Sequence, residues 1–332
     1  MKIPPSISLP QGVRDILPEE AEKIAAVESA IVSTFHKYGF KRVITPLLEY
    51  ADTLSLGMGS LFKTRLVKSI EPQTGMVMAI RPDITPQIAR IVSTRMRDYP
   101  LPLKLYYNEN VLRYQEEGAN KPQEVLQIGA EYISDKSLPE ADARMIIMAI
   151  EALKKANLKD FRIDIGDVGF VRKIFQRLPL TDDIKKKIKD KVAKKDTFGL
   201  ESVLEKLGNK INSRDRKLLL ALTTFYGEKE IIKKAGTLEK DPSGRLSLEY
   251  LKKVLDIIGK KGYMDLITID LGEVRGFDYY TGIIFEGFAP DIGKPILGGG
   301  RYDGLLEKYG YPAKSTGFAF NMENIVSALE KR

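Results

Sequence analysis

Residues 273–303, a run of strand formers between glycine clusters, organise this chain. They read E-V-R-G-F-D-Y-Y-T-G-I-I-F-E-G-F, then a linker around Asp291 and Gly293, then L-G-G-G-R-Y-D. Isoleucine, phenylalanine and tyrosine suit a pleated, half-buried surface, so the stretch predicts two adjacent strands joined by a Gly/Pro-bounded loop. Arg275, Asp278, Tyr279, Tyr280, Glu286, Arg301 and Asp303 are interleaved with these residues. The spacing fits a polar ligand site in a sheet. It fits equally a surface Arg275/Asp278 pair with half-buried packing tyrosines.

With 332 residues the chain is long enough for one large domain with an insertion or for two domains. Its hydrophobic share of 43% and charged share of 30% are those of a soluble globular protein. No apolar run approaches the roughly 20 residues that span a bilayer, and residues 1–9 lack the apolar core of a secretory signal. A cytoplasmic location without membrane contact is the expectation. Cysteine is absent, which excludes disulfide framing, thiolate catalysis and cysteine metal sites. The single histidine, His36, rules out the two-histidine metal motifs, and no metal site is expected. His36 stands between Phe35 and Tyr38 near a predicted helix end, which reads as a structural or solvent-facing position. A net charge of +8 permits anionic partners without selecting one, because most lysines are mixed with Glu and Asp in helical patterns.

Taken in order, prolines 4, 5, 10 and 18 bound an irregular arm containing Q-G-V-R-D-I-L-P. Ile24, Val27, Ile31, Phe35 and Tyr38 then recur at helical steps, with Gly39 where a C-cap belongs. K-R-V-I-T-P-L-L-E-Y reads as a strand interrupted at Pro46. Proline lacks a ladder donor, so an edge or an interface between chains suits it. Residues 76–80 form a short strand leading into R-P-D-I-T-P-Q-I-A-R. There Thr85 is expected to cap a helix with Pro86 at its first position. Asp83 either supports that helix start electrostatically or faces a cavity and receives an ammonium group. A long-looped antiparallel hairpin follows, and alternation puts Gln127, Gly129 and Glu131 on one face of its second strand, with Gly129 leaving room for a ligand. A solvated Gln/Glu pair fits the same pattern. Residues 139–156 predict a helix and F-R-I-D-I-G-D-V a strand. From 171 to 261 lysine-faced helical periods predominate, so a mainly helical insertion is expected, with strands resuming over 264–270. A short helix, the strand S-T-G-F-A-F and a last helix close the chain. No G-x-G-x-x-G or P-loop accompanies a strand–helix unit.

These elements together resemble one family. Q-G-V-R-D-I-L-P with the helix, strand and Pro46 that follow resembles motif 1 of the histidine-tRNA ligases, which are class II aminoacyl-tRNA synthetases. V-L-R-Y through Q-I-G-A-E resembles motif 2, and R-P-D-I-T resembles the R-P-E-x-T signature. V-R-G-F-D-Y-Y and G-G-G-R-Y-D-G-L resemble the two histidine-specific signatures. The likeness spans residues 8–328. It is closer to the shortened paralogues that serve as regulatory subunits of ATP phosphoribosyltransferase.

What the resemblance implies is specific. The fold would be α+β, a class II synthetase-like antiparallel sheet flanked by helices. Residues 1–170 and 262–332 would form the core, 171–261 a mainly helical insertion, and no C-terminal anticodon-binding domain would follow. Histidine would be bound by Asp83, Thr85, Arg113, Gln127, Glu131, Arg275, Tyr279 and Tyr280. Carboxylates would receive its ammonium, an arginine its carboxylate, and the amide and phenols its imidazole. The nucleotide groups depart from the family. Gln115 replaces the acidic residue of motif 2, the loop with Asn120, Lys121 and Gln123 is poor in arginine, and G-F-A-F-N-M-E-N puts Asn321 and Asn324 where motif 3 has glycine and arginine. Asparagine lacks the charge that meets phosphoryl oxygens in adenylate formation. The implied protein is noncatalytic, needs no cofactor, binds histidine allosterically and joins a short-form catalytic subunit. It would have a homodimeric core within a hetero-octamer, with no role for tRNA. A divergent histidine-tRNA ligase or other ATP-dependent amino-acid-activating enzyme, and a synthetase-like RNA-binding module, are the alternatives.

Overall fold

The computed structural model of the chain describes residues 8–10, 12–58, 66–114, 122–274 and 279–331. In chain order the described elements are α1 (Pro18–Lys37), β1 (Lys41–Arg42), β2 (Leu48–Tyr50), α2 (Ala51–Gly57), β3 (Lys68–Ile70), β4 (Val77–Ile80), α3 (Thr85–Arg95), β5 (Leu103–Tyr114) and β6 (Pro122–Ser134). Then come α4 (Pro139–Lys155), β7 (Arg162–Asp167), α5 (Val168–Arg177), α6 (Asp182–Ala193), α7 (Thr197–Leu207), α8 (Ser213–Leu222), β8 (Tyr226–Gly227), α9 (Glu230–Leu238) and α10 (Pro242–Lys260). The last are β9 (Ile267–Asp270), β10 (Ile283–Phe288), β11 (Leu297–Arg301), β12 (Lys314–Asn321) and α11 (Met322–Glu330). They fall into two compact units. The first runs up to Asp135 and adds Ile150–Lys159 and the chain from Gly304; the second holds Lys136–Ala149 and Asp160–Asp303.

In the first unit the apolar steps of α1 become its packed face, with Ile24, Val27, Ile31 and Phe35 buried. Phe35 is fully enclosed, its ring 5.7 Å from Tyr106, 5.9 Å from Phe318 and 6.4 Å from Phe320. Removing such a ring costs about 3–5 kcal/mol, so this cluster fixes α1 on the strands. Gly39 ends the helix at φ +79°, a backbone angle that suits glycine. His36 lies just before it, its Nε2 3.0 Å from the Tyr106 hydroxyl, which is a structural use.

The segment around Pro46 is interrupted as expected. Its two halves enter different sheets: β1 pairs parallel with β5, whereas β2 pairs antiparallel with β4. Between them side chains replace the missing ladder. Buried Arg81 donates to the Thr45 carbonyl at 2.8 Å, and Gln87 Nε2 donates to the Pro46 carbonyl at 2.8 Å. Arg81 also binds Glu109 at 3.1 Å and the Asn110 carbonyl at 2.7 Å. The arginine of R-P-D is thus a clamp that holds the start of α3 against β5.

The strand order in this unit is β1-β5-β6-β12, with a separate antiparallel sheet β2-β4-β3. β5 and β6 pair antiparallel from Leu103↔Ile133 to Tyr114↔Pro122, which is the long hairpin foreseen. In the second unit the order is β11-β10-β7-β9-β8. β10 and β11 are the two adjacent strands predicted around the glycine cluster, paired Ile284↔Gly300 to Gly287↔Leu297.

The α+β class holds, while the sheet is mixed where an antiparallel one was expected. β1 runs parallel to β5 and β7 parallel to β9. A parallel pair needs a long crossover, and the helical run α5 to α10 supplies it between β7 and β9. That run has more helices than its lysine-rich periods announced, α5, α8 and α9 among them.

Candidate functional site

In the first unit the sequence-predicted residues meet on β6 and at the start of α3. Gln127 and Glu131 share a face of β6, 7% and 1% exposed. Thr85 is the first residue of α3, with Ile84 at the cap position, so the expected Thr85 cap is not formed. Its hydroxyl instead donates to Glu131 Oε1 at 2.7 Å. The helix start is served by Asp83, whose Oδ1 accepts from the Ile84 N–H at 2.7 Å and the Thr85 N–H at 3.4 Å. Of the two roles open to Asp83, the structure fills the helix-start role at this oxygen.

The β-ladder explains why Glu131 can be buried. It lies opposite Gly317 of β12, and a side chain there would collide with Glu131 Oε2. Gly129 serves otherwise than expected. A Cβ at Gly129 would strike the Tyr107 hydroxyl, because Tyr107 pairs with Gly129 across the ladder and lies fully buried over it. The space left by Gly129 is occupied by Tyr107, between Gln127 and Glu131 on the same face. The sequence reading missed Tyr107; its one available signal was its even spacing from Leu105 and Glu109 along β5.

Gln127 differs at its side-chain oxygen. Its buried Oε1 accepts no hydrogen bond among the described residues. A buried amide oxygen in that state costs about 1–3 kcal/mol, which a donor placed against it would relieve.

The second unit carries Tyr279 and Tyr280. Their rings meet edge to face at 5.0 Å, and Tyr279 lies 5.5 Å from Tyr302. The Thr281 N–H donates to the Arg301 carbonyl at 2.7 Å and the Asp303 N–H to Thr281 Oγ1 at 2.9 Å, so this segment is pinned to G-G-G-R-Y-D. Arg301 itself is spent on structure. Its Nε and Nη2 donate to the two oxygens of buried Asp142 at 2.9 and 3.0 Å, and Nη1 donates to Asp303 at 3.0 Å. Asp142 also accepts from the Tyr250 hydroxyl at 2.7 Å. Burial and the Asp142 charge both push that phenol up, so it stays a donor. Arg275, Asp278, Gln115, Asn120 and Lys121 lie outside the described residues. So do the side chains of Arg113 and Gln123.

Comparison with known proteins gives these positions a family. The model of the histidyl-tRNA synthetase family matches residues 12–325. The chain belongs to the histidyl-tRNA synthetase family. A relative from Geobacter metallireducens, named ATP phosphoribosyltransferase regulatory subunit, is 44% identical over 324 residues, covering 98% of this chain and 74% of the relative. One of the same name from Geobacter sulfurreducens is 43% identical, covering 98% and 73%. A crystal structure described as an ATP phosphoribosyltransferase regulatory subunit/histidyl-tRNA synthetase from Bacillus halodurans superposes with a TM-score of 0.89 at 30% identity, covering 98% of this chain and 84% of that one.

The class II synthetase fold foreseen from the motifs is therefore the fold of the chain. Within it, the motif 3 position has a local use visible in the geometry. Asn321 ends β12 opposite Gln127, and its Oδ1 accepts from the Asn324 N–H at 3.1 Å. It is the N-cap of α11, a role that asparagine fills well.

Proposed function

We propose that this chain is a noncatalytic regulatory subunit of ATP phosphoribosyltransferase. It would be required by a short-form catalytic subunit for the first step of histidine biosynthesis, and it would carry feedback inhibition by histidine. The observation that carries the reading is the buried Gln127 oxygen, lacking a partner among the described residues, on the same strand face as the buried Glu131–Thr85 pair. Histidine offers such an oxygen an imidazole or ammonium N–H, and Glu131 a cation to balance its charge. Asp83, Arg113, Arg275, Tyr279 and Tyr280 complete the proposed contact set. The regulatory-subunit names of relatives at 44% and 43% identity support the same role.

Adenylate chemistry needs positive charge at the phosphoryl oxygens, and Asn321 and Asn324 stand at the motif 3 positions of glycine and arginine. Recognition without reaction follows. Histidine would then act by preferring one arrangement of the assembled subunits, and linkage requires active and inhibited assemblies to differ in histidine affinity.

The assembly is proposed as a homodimeric core within a hetero-octamer located in the cytoplasm. An apolar surface on the small sheet supports self-pairing. Ile70 and Val77 are cross-strand partners, 66% and 44% exposed.

The test is reconstitution with a short catalytic subunit, with and without histidine. Activation by the wild-type chain and inhibition by histidine are expected. Glu131→Gln should weaken histidine sensitivity about ten-fold or more while assembly survives. Histidine-dependent exchange between pyrophosphate and ATP by the isolated chain would replace this reading with that of an amino-acid-activating enzyme.

A further inference from the structure

Described residues on either side of positions 275–278 are bonded to the helical run. On the side of Tyr280, Arg172 in α5 donates to the Tyr280 carbonyl at 2.6 Å, and the Val168 N–H, at the start of the same helix, donates to the Gly282 carbonyl at 3.0 Å. Gly169 lies so close that a Cβ would sit 3.0 Å from the Thr281 carbonyl. On the side of Asp270, the turn between α6 and α7 supplies Lys195, whose Nζ lies 2.5 Å from Asp270 Oδ1. Lys195 reaches it from a left-handed backbone at φ +53°. The same Oδ1 accepts the Gly272 N–H at 2.8 Å, and the Leu271 N–H donates to the Phe225 carbonyl at 3.0 Å, beyond the end of α8. Gly272 packs so tightly on the Leu222 carbonyl that a side chain would collide with it. All these contacts lie within the second unit.

Their chemistry is uneven in a telling way. A charged donor on a main-chain carbonyl fixes a backbone position, and Arg172 fixes that of Tyr280 itself. Lysine on the buried Asp270 carboxylate fixes the exit of β9.

We infer that Arg172 and Lys195 are positioning residues through which the helical run sets the placement of Tyr279 and Tyr280, and so the affinity of the amino-acid site. The inference rests on the reading of these tyrosines as histidine contacts. A helix displaced by a partner would move Tyr280 through Arg172, and histidine held by Tyr280 would bias the helices in return.

The experiment uses the full chain, with L-histidine as the calorimetric probe and amide hydrogen exchange as a second readout. Arg172→Met should weaken histidine binding about ten-fold, the loss of one charge-assisted hydrogen bond, and speed exchange at the Thr281 amide. Arg172→Lys keeps a donor and should recover most of both, which a merely destabilised fold would not. Lys195→Met should speed exchange at the Leu271 and Gly272 amides and weaken binding in the same direction. Wild-type affinity and exchange in both methionine variants would overturn the inference. If the wild-type chain binds no histidine, the reading of the site is wrong. Exchange at Thr281 then decides alone: faster in Arg172→Met upholds the tether, and unchanged overturns it.

Discussion

Asp167 gives the sharpest quantitative test, because it couples a buried charge to the helix that holds Tyr280. It is the N-cap of α5 and accepts the Phe170 N–H at 3.2 Å. Burial pushes its carboxyl up from 3.8 to about 6, against the partial relief of the Phe170 and Gly169 N–H groups and Lys173. That rise corresponds to about 3 kcal/mol favouring the protonated form in the folded state. The folded carboxyl binds its proton more tightly than the unfolded one. Its stability contribution is therefore fully present below about pH 4 and is lost as pH rises through about 6. Asp167→Asn keeps an oxygen to accept the Phe170 N–H and removes the ionisation. The variant should match wild type near pH 4 and exceed it by up to about 3 kcal/mol at pH 8. Urea unfolding at the two pH values measures the difference. An equal stability gap at both pH values would refute the burial argument, and a less stable variant at pH 8 would mean that the carboxylate is held ionised by its N–H donors.

Two further outcomes follow from packing. Arg301→Met leaves Asp142 and Asp303 without their buried counter-ion and should cost about 3–5 kcal/mol in chemical unfolding; a loss under about 1 kcal/mol would show the network to be dispensable. The double substitution Ile70→Asp with Val77→Asp places charge on the exposed apolar strip and should raise the dissociation constant of a self-paired chain roughly hundred-fold by sedimentation, with unchanged helicity. A wild-type chain that sediments as a monomer at micromolar concentration would sink the pairing.

The sequence by itself determined the local elements and the family. The spacing of Ile24, Val27, Ile31 and Phe35 was enough for α1, and the two glycine clusters were enough for β10 and β11, because helical and strand periodicity are properties of neighbouring residues. Five ordered motifs were enough for the synthetase fold. Only the tertiary structure decided what individual polar groups do. Thr85 was legible as a helix-start residue, yet its hydroxyl goes to Glu131, 46 positions away. Gly129 was legible as a gap, yet Tyr107 from the neighbouring strand fills it. Arg301 stood in a stretch that fitted a polar ligand site among other readings, and it is bound to Asp142, 159 positions distant. A side chain is claimed by whichever partner the fold brings within hydrogen-bond reach. Burial makes that choice costly to undo, and neither reach nor burial is written in the order of the residues.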